Sequence, residues 1–503
     1  MNPHIILIVI ALYFGLLLLI AKFTAGKGDN QTFFTANRQS PWYLVAFGMI
    51  GASLSGVTLI SIPGEVGNIG FQYFQLVIGY LAGYAVIAFV LMPVYYKRSL
   101  ISIYTYLGDR FGRPAYKTGA VFFLISQTIG ASFRLFLAAM VLQIAVFSHY
   151  NIPFELSVAI TILLIWLYTY RSGIKTIVWT DTLQTVFMLL AVALTIVILL
   201  GKMDLSVPQA VKSLSDSELT TVFNWDWKSP YHFFKQFLSG AFIAIVMTGL
   251  DQNMMQKNLT CRSLADAQKN MVTFSLTLLP ANLLFLFMGA LMYLYIQQMG
   301  LNFTDSHGFM LNQATNQYVH TDALYPLLAM NYLGGLAAMV FIVGVIAAAF
   351  SSADSAMTAL TTSFCIDIMN IKELQDPRQK KTRYQVHIAV SVVVMATIVV
   401  FKALNNSSVI NAVFTMAGYT YGPLLGLFSF GLFCKRMPKT RLIPVVAIVS
   451  PIITFLINSY SEQLLNGYRF GFELLLLNGF LTFLGLWLLP QQSRDWTKVP
   501  ASF

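Results

Sequence analysis

Gly51-Ala52-Ser53-Leu54-Ser55-Gly56-Val57-Thr58-Leu59-Ile60-Ser61-Ile62-Pro63-Gly64 mixes apolar residues with glycines, hydroxyls and a proline. The stretch falls in an apolar run, 42–63, of the roughly 20 residues that a helix needs to cross a bilayer. A helix with Gly56 at its middle and Pro63, which has no N–H to donate, is one that unwinds locally. Unwound backbone within a membrane releases carbonyl oxygens, and such oxygens coordinate sodium. Small residues also let helices pack closely, which is the plainer reading of the same segment.

Composition fixes the solvent around this run. Of 503 residues, 57% are hydrophobic and 10% charged, and the mean hydropathy is +0.69. Soluble domains carry about 25% charged residues, so lipid is the medium that fits. The runs lack the alternation of barrel strands, and helices are the remaining way to satisfy a backbone in hydrocarbon. Cys261, Cys365 and Cys434 form no CxxC pair, which excludes a disulfide framework and a zinc site. The first run, about 5–21, has no basic leader or clear cleavage site and reads as a retained helix.

Thirteen spans are expected, at about 4–22, 42–63, 72–96, 118–146, 153–170, 176–200, 236–256, 272–297, 325–368, 384–402, 407–433, 442–458 and 470–490. The run 325–368 is too long for one crossing and predicts a short surface helix followed by a long span. Alternate loops, from 22–41 to the C-terminal tail, hold 24 of the 31 Lys and Arg residues. By the positive-inside bias these loops are cytosolic, with the N-terminus outside and the C-terminus in the cytosol. The net charge of +11 is thereby a topology signal and not a nucleic-acid footprint. Connections 201–235 and 298–324 fall outside and read as lids or rim.

Polar groups within spans are costly and mark function by default. In Ala347-Ala348-Ala349-Phe350-Ser351-Ser352-Ala353-Asp354-Ser355, residues Ser351, Asp354, Ser355 and the later Thr358 share one helical face. Back-bonding to carbonyls explains hydroxyls on a helix, but it does not explain Asp354. Asp181, in Trp179-Thr180-Asp181-Thr182-Leu183-Gln184, lies one turn inside its span. It either snorkels to water or joins Asp354 and Ser355 around an ion. Arg134 sits mid-span and needs a protein anion, a cavity or an anionic solute; its guanidinium matches a carboxylate in a bidentate fork.

The broken second span, Trp179–Gln184, Asp251-Gln252 with Gln256-Lys257, Ser102–Gly112 and Ser351–Ser355 together resemble the sodium/solute symporter family, over nearly the whole chain. The branch most similar is that of bacterial sodium/sialic acid transporters. The resemblance implies an all-α membrane protein with a leucine-transporter-like 5+5 inverted repeat and flanking helices. It divides the chain into an extra N-terminal helix and loop (1–41), a ten-helix core (42–433) and two C-terminal helices with a tail (434–503). The discontinuous core helices would contain Gly56 and about Gly240 to Gly249.

Carried over residue by residue, one sodium site falls on carbonyls of Gly56, Leu59 and Ala348 and hydroxyls of Ser351 and Ser352. A second, present in some members, maps to Asp181, Ser351, Asp354 and Ser355; Asp354 is often serine there. Ser172-Gly173 departs mildly from the family's paired glycines. Arg134 matches the family's contact to a substrate carboxylate and Thr58 a neighbouring contact, with Ser61, Phe74, Gln75 and Tyr80 as further candidates. The expectation is a sodium symporter of the bacterial inner membrane importing a carboxylated sugar such as sialic acid. A neutral sugar or polyol stands behind it, and a channel or solute-sensing receptor is the reading from another class. An embedded enzyme finds no general base, since His4, His149, His232, His307, His320 and His387 lie in loops or at span edges.

Overall fold

The computed structural model describes residues 3–24, 38–98, 100, 102–169, 174–215, 217–301, 310–312, 317–371, 377–404 and 408–491. Most of loop 22–41, Ser172-Gly173, part of 369–383 and the tail beyond 491 lie outside the described residues. Every expected apolar segment is helical. The helices are α1 (Pro3–Thr24), α2 (Trp42–Ser53 and Gly56–Ile69), α3 (Tyr73–Val86, carried on to Lys97) and α4 (Arg113–Ala145). They continue with α5 (Phe154–Thr169), α6 (Ile174–Met203), α7 (Phe233–Gly249 and Gln252–Asn258) and α8 (Leu264–Gln298). The last are α9 (Gly335–Ile368), α10 (Pro377–Leu404), α11 (Val409–Phe433), α12 (Ile443–Ser459) and α13 (Leu474–Leu488). Among the described residues seven helices are long and apolar enough to cross a membrane, or eight if the bent pair of α7 is one span. This is a multi-pass α-helical membrane protein.

The segment 325–368 divides as expected, into a short helix Leu324–Asn331 and the long α9. Gly334, at φ +96°, makes the turn between them, a conformation that favours glycine.

Two helices are interrupted, and they lie five apart. In α2 the break is at Leu54 and Ser55, with ψ values of 81° and −179°. In α7 a π-helical turn, Ile245–Gly249, runs into Leu250 and Asp251, and the two arms meet at 70°. That break lies just beyond the expected Gly240–Gly249. Gly240 instead serves packing: a Cβ there would stand 2.0 Å from the Leu76 carbonyl oxygen. Gly79 and Gly83 of α3 meet carbonyls of Phe237 and Ala241 in the same way. Helices α3 and α7 thus touch backbone to backbone, which small residues alone permit.

At one end of the bundle, a two-stranded hairpin (β1 Met310–Asn312, β2 Gln317–Val319) hangs on α2 through Asn68, which bonds both the N–H and the carbonyl of Tyr318. Just beyond it, the Thr321 hydroxyl donates to Glu65 at 2.9 Å, and the Asp322 carboxylate accepts the Val409 N–H at 2.7 Å. Segment 317–323 therefore straps the C-terminal end of α2 to the start of α11. Burial, opposed in part by Ser61 and the Val409 N–H and reinforced by Glu65, pushes the Asp322 carboxyl up to about 6.

Two predictions follow from this packing. Gly240→Ala should cost about 1–3 kcal/mol by overpacking and lower the melting temperature in detergent by several degrees. Gly15→Ala, whose Cβ meets nothing within 4 Å, should leave it unchanged. At Asp322 the raised pKa means that folding takes up a proton between pH about 4 and 6. Stability from this group is greatest at the acid end, falls across that window and is flat above it. Asp322→Asn should remove that slope and raise the melting temperature at neutral pH, as a pH series of thermal melts would show.

Candidate functional site

The site begins with what each break leaves unpaired. In α7 the freed carbonyls are taken by phenols: Tyr95 donates to Gly249 O at 2.8 Å and Tyr104 to Leu250 O at 2.9 Å. Asp251 then caps the inner arm, accepting the Met254 N–H at 3.2 Å and the Tyr421 hydroxyl at 2.6 Å. The break in α2 is finished far more sparingly. Ala52 O is met by the Ser352 hydroxyl at 3.4 Å, a weak contact that the same hydroxyl shares with Ala348 O at 3.3 Å. Pro63 stands four residues beyond Leu59 and has no N–H, so the Leu59 carbonyl loses its normal helical donor.

Helix α9 crosses this point. A Cβ on Gly56 would lie 3.6 Å from the Ala349 Cβ, so the two backbones run in contact. Gly56, Leu59, Ala348, Ser351 and Ser352 are all buried there. The Ser351 and Ser352 hydroxyls and the Leu59 carbonyl that Pro63 leaves without a helical donor are oxygens, the donor chemistry that a hard cation such as sodium takes. The structure thus packs the α2 and α9 segments that carry the first expected sodium site against each other.

Around Asp181 the structure adds a group that the sequence reading did not place. The Lys257 ammonium, on the inner arm of α7, lies 2.6 Å from Asp181 Oδ2, and both side chains are 1% exposed or less. Ser351 and Ser355 stand beside the same carboxylate. Asp354 is buried on the same helix but turns Oδ1 back onto the Ser355 N–H at 2.5 Å. Lys257 is one of the 24 basic residues of the alternate loops, and its burial leaves 23 of the 31 there.

Between the two breaks lies a cavity of about 100 Å³. Thr58, Tyr73, Tyr80, Tyr84, Gln127, Arg134, Asp251 and Tyr421 are among its lining residues. Arg134 makes no ion pair or hydrogen bond with a described residue; Tyr421 and Asp251 are the charged or ionisable groups that act on it. Its guanidinium therefore faces the cavity rather than a fixed partner. Of the expected substrate residues, Thr58 and Arg134 line this space, and so does Tyr80. Ser61, Phe74 and Gln75 do not. Gln75 is occupied elsewhere, donating to Gln72 O and Tyr231 O and accepting the Asn224 N–H. Ser61 lies beside Asp322, and Phe74 packs against the core. Asp251 and Tyr421 carried no signal as cavity residues, because both also serve the capping of α7.

Comparison with known proteins agrees with this architecture. The human sodium/iodide cotransporter is 24% identical over 83% of this chain and 64% of its own length. The chain thus spans less than two thirds of that relative's length. The sodium/sialic acid symporter SiaT of Proteus mirabilis is 23% identical over 91% of this chain and 89% of its own. A solved structure of a sodium-coupled sialic acid symporter, substrate-bound and outward-open, superposes with a TM-score of 0.79 at 19% identity, covering 97% of this chain and 99% of that one. The fold is therefore that of the leucine-transporter-like carriers. Residues 33–440 match the model of the sodium:solute symporter family, whose members are transporters, and this chain belongs to that family.

Proposed function

We propose that this protein is a sodium-coupled symporter that imports an anionic, carboxylated solute by alternating access. The observation that carries the reading is Arg134, a guanidinium facing the cavity between two broken helices with no protein anion bonded to it. A carboxylate in that cavity would accept two parallel N–H bonds, with Thr58 at its side. The names of the relatives point the same way: iodide is an anion, and sialic acid carries a carboxylate. Sialic acid is the specific candidate. The cavity, at about 100 Å³, falls short of the roughly 300 Å³ or more of sites for larger ligands. A sugar acid would have to widen it, so a smaller monocarboxylate is the second reading. The neutral sugar or polyol expected as an alternative would leave Arg134 without a counter-charge.

Sodium would bind where Gly56, Leu59 and Ala348 offer carbonyls and Ser351 and Ser352 hydroxyls, tying α2 to α9. One charge moving down 100 mV releases about 2.3 kcal/mol, and a tenfold sodium gradient adds about 1.4 kcal/mol. Either term suffices to bias a conformational equilibrium once the ion closes the α2–α9 junction. The basic-loop asymmetry supports thirteen crossings of a bacterial inner membrane, with the N-terminus outside.

Reconstituted into proteoliposomes, the protein should accumulate labelled sialic acid or a short monocarboxylate when sodium is higher outside. Collapse of the sodium gradient should abolish accumulation; a channel would equilibrate the solute and never concentrate it. Arg134→Lys should raise the KM for acids by about tenfold to a hundredfold, the weight of 1.5–3 kcal/mol in charged hydrogen bonds. Unchanged KM in that variant would assign Arg134 to Asp251 and Tyr421 as a structural charge.

A further inference from the structure

We infer that the Lys257 ammonium is a built-in cation occupying the position beside Asp181, Ser351 and Ser355, so that this chain binds one sodium and not two. The inference rests on the proposed sodium coupling and narrows it. The family resemblance maps a second sodium to this cluster, and a sodium ion there needs the Asp181 charge. That charge is already met: Nζ of Lys257 lies 2.6 Å from Oδ2, with both side chains removed from solvent.

The backbone puts the lysine there. The inner arm of α7, Gln252–Asn258, is buried at every residue, and its 70° bend from the outer arm carries it in among α2, α6 and α9. Lys257 is itself 0% exposed, so its chain does not reach toward water as a helix-end lysine ordinarily does. A buried ammonium needs a counter-charge, and Asp181 is the carboxylate that it touches. Conversely, the buried Ser351 and Ser355 hydroxyls stand beside the same carboxylate. They mark a cradle of oxygens of which the lysine uses one side. Adding sodium to that cradle would set a second positive charge against an ammonium already neutralising the carboxylate. Asp354, the other acid on α9, keeps an oxygen on the Ser355 N–H. Removing the ammonium, rather than adding an acid, is therefore what would open the place to sodium.

A consequence reaches transport. With one sodium for one monoanion the cycle moves no net charge, and a tenfold sodium gradient sustains at most about tenfold accumulation.

The test is equilibrium binding of radiolabelled sodium alone to the purified full-length protein, which needs no knowledge of the solute. Wild type is expected to bind one sodium per chain. Lys257→Gln should bind two, and Asp181→Asn combined with Lys257→Gln should return to one. Two sodium ions on the wild type would overturn the inference while leaving sodium coupling intact. So would a single ion on a folded Lys257→Gln protein. If Lys257→Gln does not fold, the double variant decides, because it buries no unpaired charge. Its retention of one sodium supports the inference, whereas loss of all sodium binding would make Asp181 a ligand of the single ion and overturn it. No saturable sodium on the wild type would reject the sodium reading itself.

Discussion

In hydrocarbon a backbone carbonyl released from its helix has no water to turn to, and everything distinctive about this molecule follows from how two such releases are handled. The break in α7 is closed by the protein. Tyr95 and Tyr104 give their hydroxyls to Gly249 and Leu250, and Asp251 caps the arm that follows. The break in α2 is not closed in this way. Its Ala52 carbonyl meets the Ser352 hydroxyl of α9 at a long 3.4 Å, and Pro63 withholds a donor from Leu59. One interruption is therefore a finished structural joint, and the other is closed more sparingly; on the proposed reading a sodium ion completes it.

The same contrast divides the polar residues of the bundle interior. Asp251, although it lines the cavity, has both oxygens bonded, to the Met254 N–H and the Tyr421 hydroxyl. Arg134 lines the same cavity with no bonded partner. An ion that is fully paired serves the fold, and one held in a cavity without a pair is available to a ligand. The anionic reading of the solute depends on this difference and not on the mere presence of an arginine in a span.

Much of this was legible in the sequence, and the reason is the solvent. Lipid enforces helix wherever the run is apolar, so all thirteen segments are helical near their expected limits. The break in α2 was readable because Gly56 and Pro63 act locally. The position of the break in α7 was not, since glycine marks both unwinding and close packing; Gly240 proved to be pressed against Leu76 O, while the chain parts at Leu250 and Asp251. Gln75 shows the same limit. The family resemblance makes it a candidate substrate residue, but its amide is taken by Tyr231 and Asn224, partners about 150 residues away that no local pattern reveals. Lys257 is the sharpest case. A lysine at the end of a span reads as surface charge, and only the 70° bend in α7 turns it inward onto Asp181.

That inward turn makes the two junctions mechanically unequal. The link between α7 and α6 consists of a covalently carried ammonium and a buried carboxylate, and separating them would leave two uncompensated charges, a cost of several kcal/mol. The link between α2 and α9 pairs the Ala52 carbonyl with the Ser352 hydroxyl and packs Gly56 against Ala349. On the proposed reading an exchangeable ion adds to it, so its strength follows the sodium concentration on the side to which it opens. A conformational change driven by sodium would then concentrate at the junction that sodium completes. The Asp181–Lys257 pair would travel as part of a rigid unit, giving the carrier one joint that the gradient can work and one that it cannot.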